Sequence, residues 1–154
     1  MNAYERKLRR FMEDHRVEGE HLLFDRSCHS VAEAAEAAGA APEDFVKSIC
    51  MVDAEGSLIV AIVKGEDRAS TSRVGKALQI HRPRLATAEE ALEKTGYPIG
   101  GTPAFAYEAT FLVDPKVLEK DAVYAGGGSE NALVQIPSRE LLRANRGEVV
   151  RVRK

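Results

Sequence analysis

The sequence predicts an α+β fold with a mixed β-sheet, and three observations carry that prediction. Two β-branched runs, VKSICMVD and SLIVAIVKG, flank Asp53-Ala54-Glu55-Gly56 and read as a hairpin. Other strand-like runs are separated by stretches of helical spacing, so hairpins and helical connections are mixed rather than repeated as βαβ units. No linker, low-complexity tract or internal repeat interrupts the 154 residues, about the length of one domain.

The elements follow in order. Tyr4, Leu8, Phe11, Met12 and His15 recur at helical spacing and predict an amphipathic helix over residues 3–16. His21 to Asp25 reads as a short strand. Ser30, with Glu33 three residues on, forms a capping-box signal for VAEAAEAAG, which Gly39 ends; its many alanines suit close packing against a sheet. After the hairpin, Ser70 to Arg73 opens a helix through Gln79, and residues 84–86 make a brief strand. Thr87 and Glu90 repeat the capping-box signal for a helix to Thr95, ended by Gly96. Strands are then expected at residues 109–113, 122–125 and 132–136. The run GGGSEN joins the last two, a helix covers 137–145, and a closing strand covers 148–152.

Composition narrows the function. No run approaches the roughly 18 apolar residues of a membrane span, and the start MNAYERKLRRFMEDH is too charged for a signal peptide. The cytoplasm is the expected location, and two cysteines, Cys28 and Cys50, suit a reducing compartment. A formal charge of −2 argues against coating nucleic acid through a global field. Three local basic clusters survive that objection: Arg6 to Arg10, Arg68 to Arg84, and Arg151 to Lys154. Neither a membrane nor DNA is an expected partner.

Several chemistries find no support. The histidines and cysteines show no C-x-x-C, H-x-x-x-H or H-E-x-x-H spacing for a metal. There is no G-x-S-x-G elbow, and the adjacent side chains of Cys28 and His29 tend to diverge rather than pair. GGGSEN lacks the order of a phosphate-binding loop and reads as a hairpin connection, although its N–H groups, Ser129 and Asn131 could face a cleft. Lys47 is the unusual strand residue, charged at the mouth of a run otherwise built for burial. It either reaches solvent along its stem or points into a cleft, where its ammonium could anchor a phosphate or an oxyanion. GYPIGGTPAF, residues 96–105, packs three glycines and two prolines into ten residues and builds a rigid loop of defined shape.

In the order SVAEAAEAAG, APEDFVKSICMV, GYPIGGTPAFAYEATFLVD and VYAGGGSENALVQI, the chain resembles the YbaK family, which includes the editing domain of bacterial prolyl-tRNA synthetases and its free-standing relatives. The resemblance implies one domain over residues 1–154, with a strongly curved mixed sheet surrounded by helices. It implies a trans-acting deacylase that cleaves a small wrong amino acid, such as alanine or cysteine on proline-specific tRNA with serine or another small residue left open, from the tRNA's 3′ end, without metal or organic cofactor. The partners implied are the acceptor end of mischarged tRNA and a synthetase. Lys47 falls at the family's essential lysine and Ser48 beside it, where relatives carry threonine or asparagine. Gly100, Gly101, Thr102 and Pro103 fall on the main-chain wall of the amino-acid pocket. Ser129 and Asn131 remain pocket candidates on their own chemistry, in a region where some relatives carry a histidine and this chain does not. Where many relatives read G-x-x-x-P, this chain places proline one position earlier and Ala104 at the usual proline site, so selectivity is expected to lie there. A noncatalytic module binding tRNA ends, or a synthetase partner, in the same cleft is the alternative.

Overall fold

The computed structural model describes residues 1–154 and is an α+β fold. In chain order it contains α1 (Ala3–Asp14), β1 (Glu20–Leu23), α2 (Val31–Ala38), β2 (Val46–Val52), β3 (Leu58–Lys64), α3 (Thr71–Leu78), β4 (Arg84–Leu85) and α4 (Ala88–Thr95). These are followed by β5 (Thr110–Val113), β6 (Ala122–Gly126), β7 (Ala132–Pro137), α5 (Ser138–Asn145) and β8 (Glu148–Val149).

The strands form two sheets rather than the single one expected. A mixed five-stranded sheet runs β4-β2-β3-β5-β8, and an antiparallel three-stranded sheet runs β1-β7-β6. One bridge, Phe45 to Tyr124, joins them at the mouth of β2, where the two rings also stack. The predicted β2–β3 hairpin is present, with Val46 opposite Lys64 and Val52 opposite Leu58. β3 is buried along its whole length, each Val or Ile side chain there contributing about 1.5–3 kcal/mol of transfer free energy.

Local signals account for the helix ends. Thr87 and Glu90 form both halves of a capping box, whereas Ser30 caps the Glu33 N–H without the reciprocal bond. Gly39 and Gly96 end their helices in the left-handed conformation, at φ 66° and 80°. The closing strand is shorter than predicted because, after the Val150 N–H bonds the Val113 carbonyl, the chain leaves β5 and turns toward the 68–70 segment. There Ala69 bridges Arg153, and Asp114, fully buried, accepts hydrogen bonds from the Val152 and Arg153 N–H groups.

Three cores fill the space. The largest gathers Val46, Cys50, Val60 and Ile62 with residues of β6, β7, α1 and α5. A second places Met51, Ile59, Ala61 and Val63 under Val74 of α3. The third packs Ala34 and Ala35 of α2 against Phe45 and Leu133, as the alanine-rich sequence predicts.

Candidate active site

The site begins with a gap in the hydrogen bonding of β2. The Phe45 carbonyl accepts the Gly65 N–H at 2.7 Å, so Phe45, Lys47, Ile49 and Met51 turn their main-chain groups toward β3. Val46, Ser48, Cys50 and Val52 must then turn theirs to the opposite edge. At one end of that edge Cys50 accepts the Ala86 N–H at 3.0 Å, beside β4; at the other, Phe45 meets β6. Between these points no strand covers Ser48, and its N–H and C=O face an open edge. A cavity of about 410 Å³ occupies this gap. Because it lies at a strand edge, it is lined by Lys47 and Ser48 alike, although strand alternation sends their side chains to opposite faces.

Lys47 is partly buried and forms no ion pair or side-chain hydrogen bond. Burial, and then the field of Arg68, hold its ammonium below the ordinary lysine value, while Asp67 pulls the other way. The other wall residues are mostly apolar or main chain, including Val31, Ala34, Phe45, Ile49 and Ala86. Cys28 and Cys50 also line the cavity; burial pushes both thiols up, Cys50 to about 11, which leaves them poor nucleophiles.

The opposite wall is made by two glycine-containing loops in direct main-chain contact. The Gly128 N–H donates to the Gly101 carbonyl at 2.8 Å. A Cβ on Gly101 would overlap the Ser129 backbone, and one on Gly126 would overlap the Thr102 carbonyl. The Thr102 hydroxyl donates to the Pro98 carbonyl at 3.0 Å and braces the loop. Gly100 differs from Gly101. A Cβ there would strike the His29 imidazole, which lies over the loop with Nδ1 3.2 Å from Glu130 Oε1.

Of the residues singled out from the sequence, Lys47, Ser48, Gly100 and Thr102 line the cavity. Gly101, Pro103, Ser129 and Asn131 do not. Gly101 lies behind the wall, against Ser129, and buried Pro103 offers its carbonyl to the Tyr107 hydroxyl at 2.7 Å. Ser129 is buried and turned away: its hydroxyl donates to Glu5 Oε2 at 2.5 Å and accepts the Asn131 N–H at 3.1 Å. Burial opposes ionisation of Glu5, yet the bonds from Ser129 and Asn2 hold its carboxyl below the usual range. Asn131 is exposed, and its carbonyl accepts the Phe24 N–H at 2.8 Å. Both residues build the turn that supports the wall.

Sequence reasoning missed His29, Ala125 and Gly126 as wall residues. The only signal for His29 was its place just before the Ser30 cap, and its pairing with Glu130 spans 101 positions that no local pattern reveals. No three His, Cys, Asp or Glu residues gather closely enough to hold a metal ion. No helix is long and apolar enough to cross a membrane.

Comparisons with known proteins agree with this architecture. A family model described as "Aminoacyl-tRNA editing domain" matches residues 25–144. Protein YwhH of Bacillus subtilis, described as uncharacterized, is 27% identical over 120 residues, covering 77% of this chain and 76% of that protein. Proline--tRNA ligase of Acidithiobacillus ferrooxidans is 34% identical over 71 residues, 46% of this chain but 12% of the ligase. Among solved structures, hypothetical protein APE2540 superposes with a TM-score of 0.88 at 31% identity, covering 96% of this chain and 99% of that one. A structure described as "a putative trans-editing enzyme for prolyl tRNA synthetase" superposes with a TM-score of 0.91 at 26% identity, covering 100% and 99%. The match over residues 25–144, joined to the whole-chain superpositions, makes this chain a member of the aminoacyl-tRNA editing domain family.

Proposed function

We propose that the chain, residues 1–154 acting as one domain in the cytoplasm, is a trans-acting aminoacyl-tRNA deacylase. It hydrolyses the ester between a small, wrongly attached amino acid and the terminal ribose of a tRNA, with alanine or cysteine on proline-specific tRNA as the leading substrates. A synthetase that makes such errors is its natural partner.

The observation that carries this reading is an unpaired ammonium on partly buried Lys47, on the wall of a cavity lined mostly by apolar groups and main chain. Its volume of about 410 Å³ falls within the range of small-molecule sites. An aminoacyl ester is already activated, so the protein's task is to position a water and stabilise negative charge on the carbonyl oxygen. Water oxygen adds to the ester carbon, and the resulting oxyanion collapses. The ribose oxygen leaves with a proton, giving a free amino acid and an uncharged tRNA. Lys47 is assigned to the oxyanion or to the phosphate of the terminal nucleotide, and the open Ser48 N–H is a second donor on the same edge. Gly100 and Thr102 shape the space for the amino-acid side chain, backed by Gly101 and Pro103, while Ser129 and Asn131 hold the supporting turn.

Incubation with tRNAs carrying alanine, cysteine, serine or their correct amino acids tests the proposal. Release of one or more small amino acids well above the spontaneous rate, abolished by Lys47→Ala, is expected. Binding of the tRNA with no release above background would instead identify a noncatalytic module for tRNA ends.

A further inference from the structure

The charges of this chain are separated along the sequence, and the fold brings one sign together. Residues 68–88 and 149–154 contain eight lysines and arginines and no aspartate or glutamate. The chain holds 22 basic and 24 acidic residues, so these two segments carry +8 in side-chain charge while the rest carries −10. They are far apart in sequence but adjacent in space. The Lys154 N–H donates to the Arg68 carbonyl at 2.8 Å, the Ser70 N–H to the Val152 carbonyl at 2.7 Å, and Ala69 bridges Arg153.

Two of the eight are neutralised, Arg84 by Glu90 and Arg153 by Asp114. The other six, Arg68, Arg73, Lys76, Arg82, Arg151 and Lys154, are exposed and form no ion pair. Within this group the Arg82 Nε–H donates to the Thr71 hydroxyl at 2.6 Å, which braces its guanidinium on the face. The basic cluster on α1 is used across the molecule instead: Lys7 sits over the Tyr97 ring and bonds the Gly96 carbonyl, and Arg9 bonds His21.

The basic segments also touch the cavity. Arg68 lies at the β3–α3 turn, beside the start of β2, and its field acts on Lys47. The first segment ends through Leu85 and Ala86, both on the cavity wall. Neither segment contains a phenylalanine, tyrosine or tryptophan, and the imidazole of exposed His81 is the one aromatic ring they offer to a base. Two cation-rich segments without acids of their own, although Asp67, Glu89 and Glu148 flank them, and with a single imidazole for stacking are suited to a phosphate backbone more than to base identity.

We infer that this two-segment basic face docks the duplex backbone of an RNA whose single-stranded 3′ end enters the adjacent cavity. The inference rests on the deacylase reading for its choice of RNA. Part of the face, residues 149–154, lies beyond the region matched by the family model.

The test measures binding of a fluorescent, unacylated RNA hairpin with an acceptor-like 3′ overhang. The triple variant Arg73→Glu, Lys76→Glu, Arg82→Glu and, separately, the double variant Arg151→Glu, Lys154→Glu are compared with a control, Arg10→Glu with Arg139→Glu. All these side chains are exposed, and unchanged thermal midpoints verify that each variant folds. The triple variant is expected to weaken binding by about tenfold or more and to flatten the salt dependence, since each lost phosphate contact removes roughly 0.7–0.9 from the log–log slope. The double variant should show a smaller loss, the control should stay within about twofold of the parent, and scrambling the stem sequence should change nothing. Equal binding by parent and triple variant, or an equal loss in the control, overturns the inference. If the parent binds RNA through this face but hydrolyses no ester, the docking inference stands and the deacylase reading falls.

Discussion

The two walls of the cavity are built on different principles. One is the open edge of β2, where side chains and main chain meet the cavity beside a strand, β3, that is buried throughout. The other is a contact between two loops whose backbones touch because Gly101 and Gly126 carry no Cβ. The edge separates chemistry from stability, since Lys47 can change without disturbing the hairpin's hydrogen bonds. The glycine wall does not, because the atoms that shape it also hold it together.

The largest effect expected from this contrast is on folding. Gly101→Val would push a side chain into the Ser129 backbone, which cannot move without pulling the buried Ser129–Glu5 bond apart. A loss of about 1–3 kcal/mol or more is expected from overpacking, measured as the shift in urea midpoint. A variant as stable as the parent would show that the loops can separate freely.

Next comes a change that should spare the fold and remove activity. Lys47→Met is expected to reduce deacylation by about 10²–10³-fold, the usual cost of losing a preorganised charge-stabilising donor. Its stability should move the other way. Burial lowers the Lys47 pKa in the folded state, so at neutral pH the fold bears a cost for the buried charge. That cost fades as pH rises through the folded-state value toward the ordinary lysine value. The methionine variant should therefore match or exceed the parent's thermal midpoint at pH 7, with the difference shrinking at alkaline pH.

Gly100→Ala sharpens the comparison from within the glycine wall. Its new methyl meets the half-exposed His29 ring rather than backbone, so the ring can swing away. Stability should change by less than about 1 kcal/mol, while relative rates on alanine, cysteine and serine esters change as the wall narrows. The smallest effect is expected for Ser48→Ala. If Ser48 acts through its main chain, losing the hydroxyl should leave the deacylation rate within about threefold, less than 1 kcal/mol. A hundredfold loss would place the function in the side chain instead.

These contrasts also explain what could be read from the sequence. Helix ends were legible at Gly39, Thr87 and Gly96 because caps act over three or four residues, and the β2–β3 hairpin because its turn is local. Lys47 stood out as a charge in an apolar run. The gap at Ser48 was not legible, since it exists only because β4 and β6 approach β2 at different points. Ser129 was misjudged for a related reason: a serine in a glycine turn faces wherever its partner lies, and that partner is Glu5, 124 positions away. The expected single sheet divides in two because β1, β6 and β7 pair among themselves and meet β2 by one bridge. The resemblance pointed to the whole 100–103 loop, whereas the fold distinguishes Gly100, which lines the cavity and faces His29, from Gly101, which faces Ser129.

The most direct test of the central claim is a side-by-side rate measurement. Purified parent and Lys47→Met proteins, matched for thermal midpoint, are given alanine esterified to proline-specific tRNA, and release of free alanine is followed. Rapid release by the parent and near-background release by an equally stable variant is the result expected. Equal rates for the two proteins would contradict the claim that the unpaired ammonium at the edge of β2 drives the reaction.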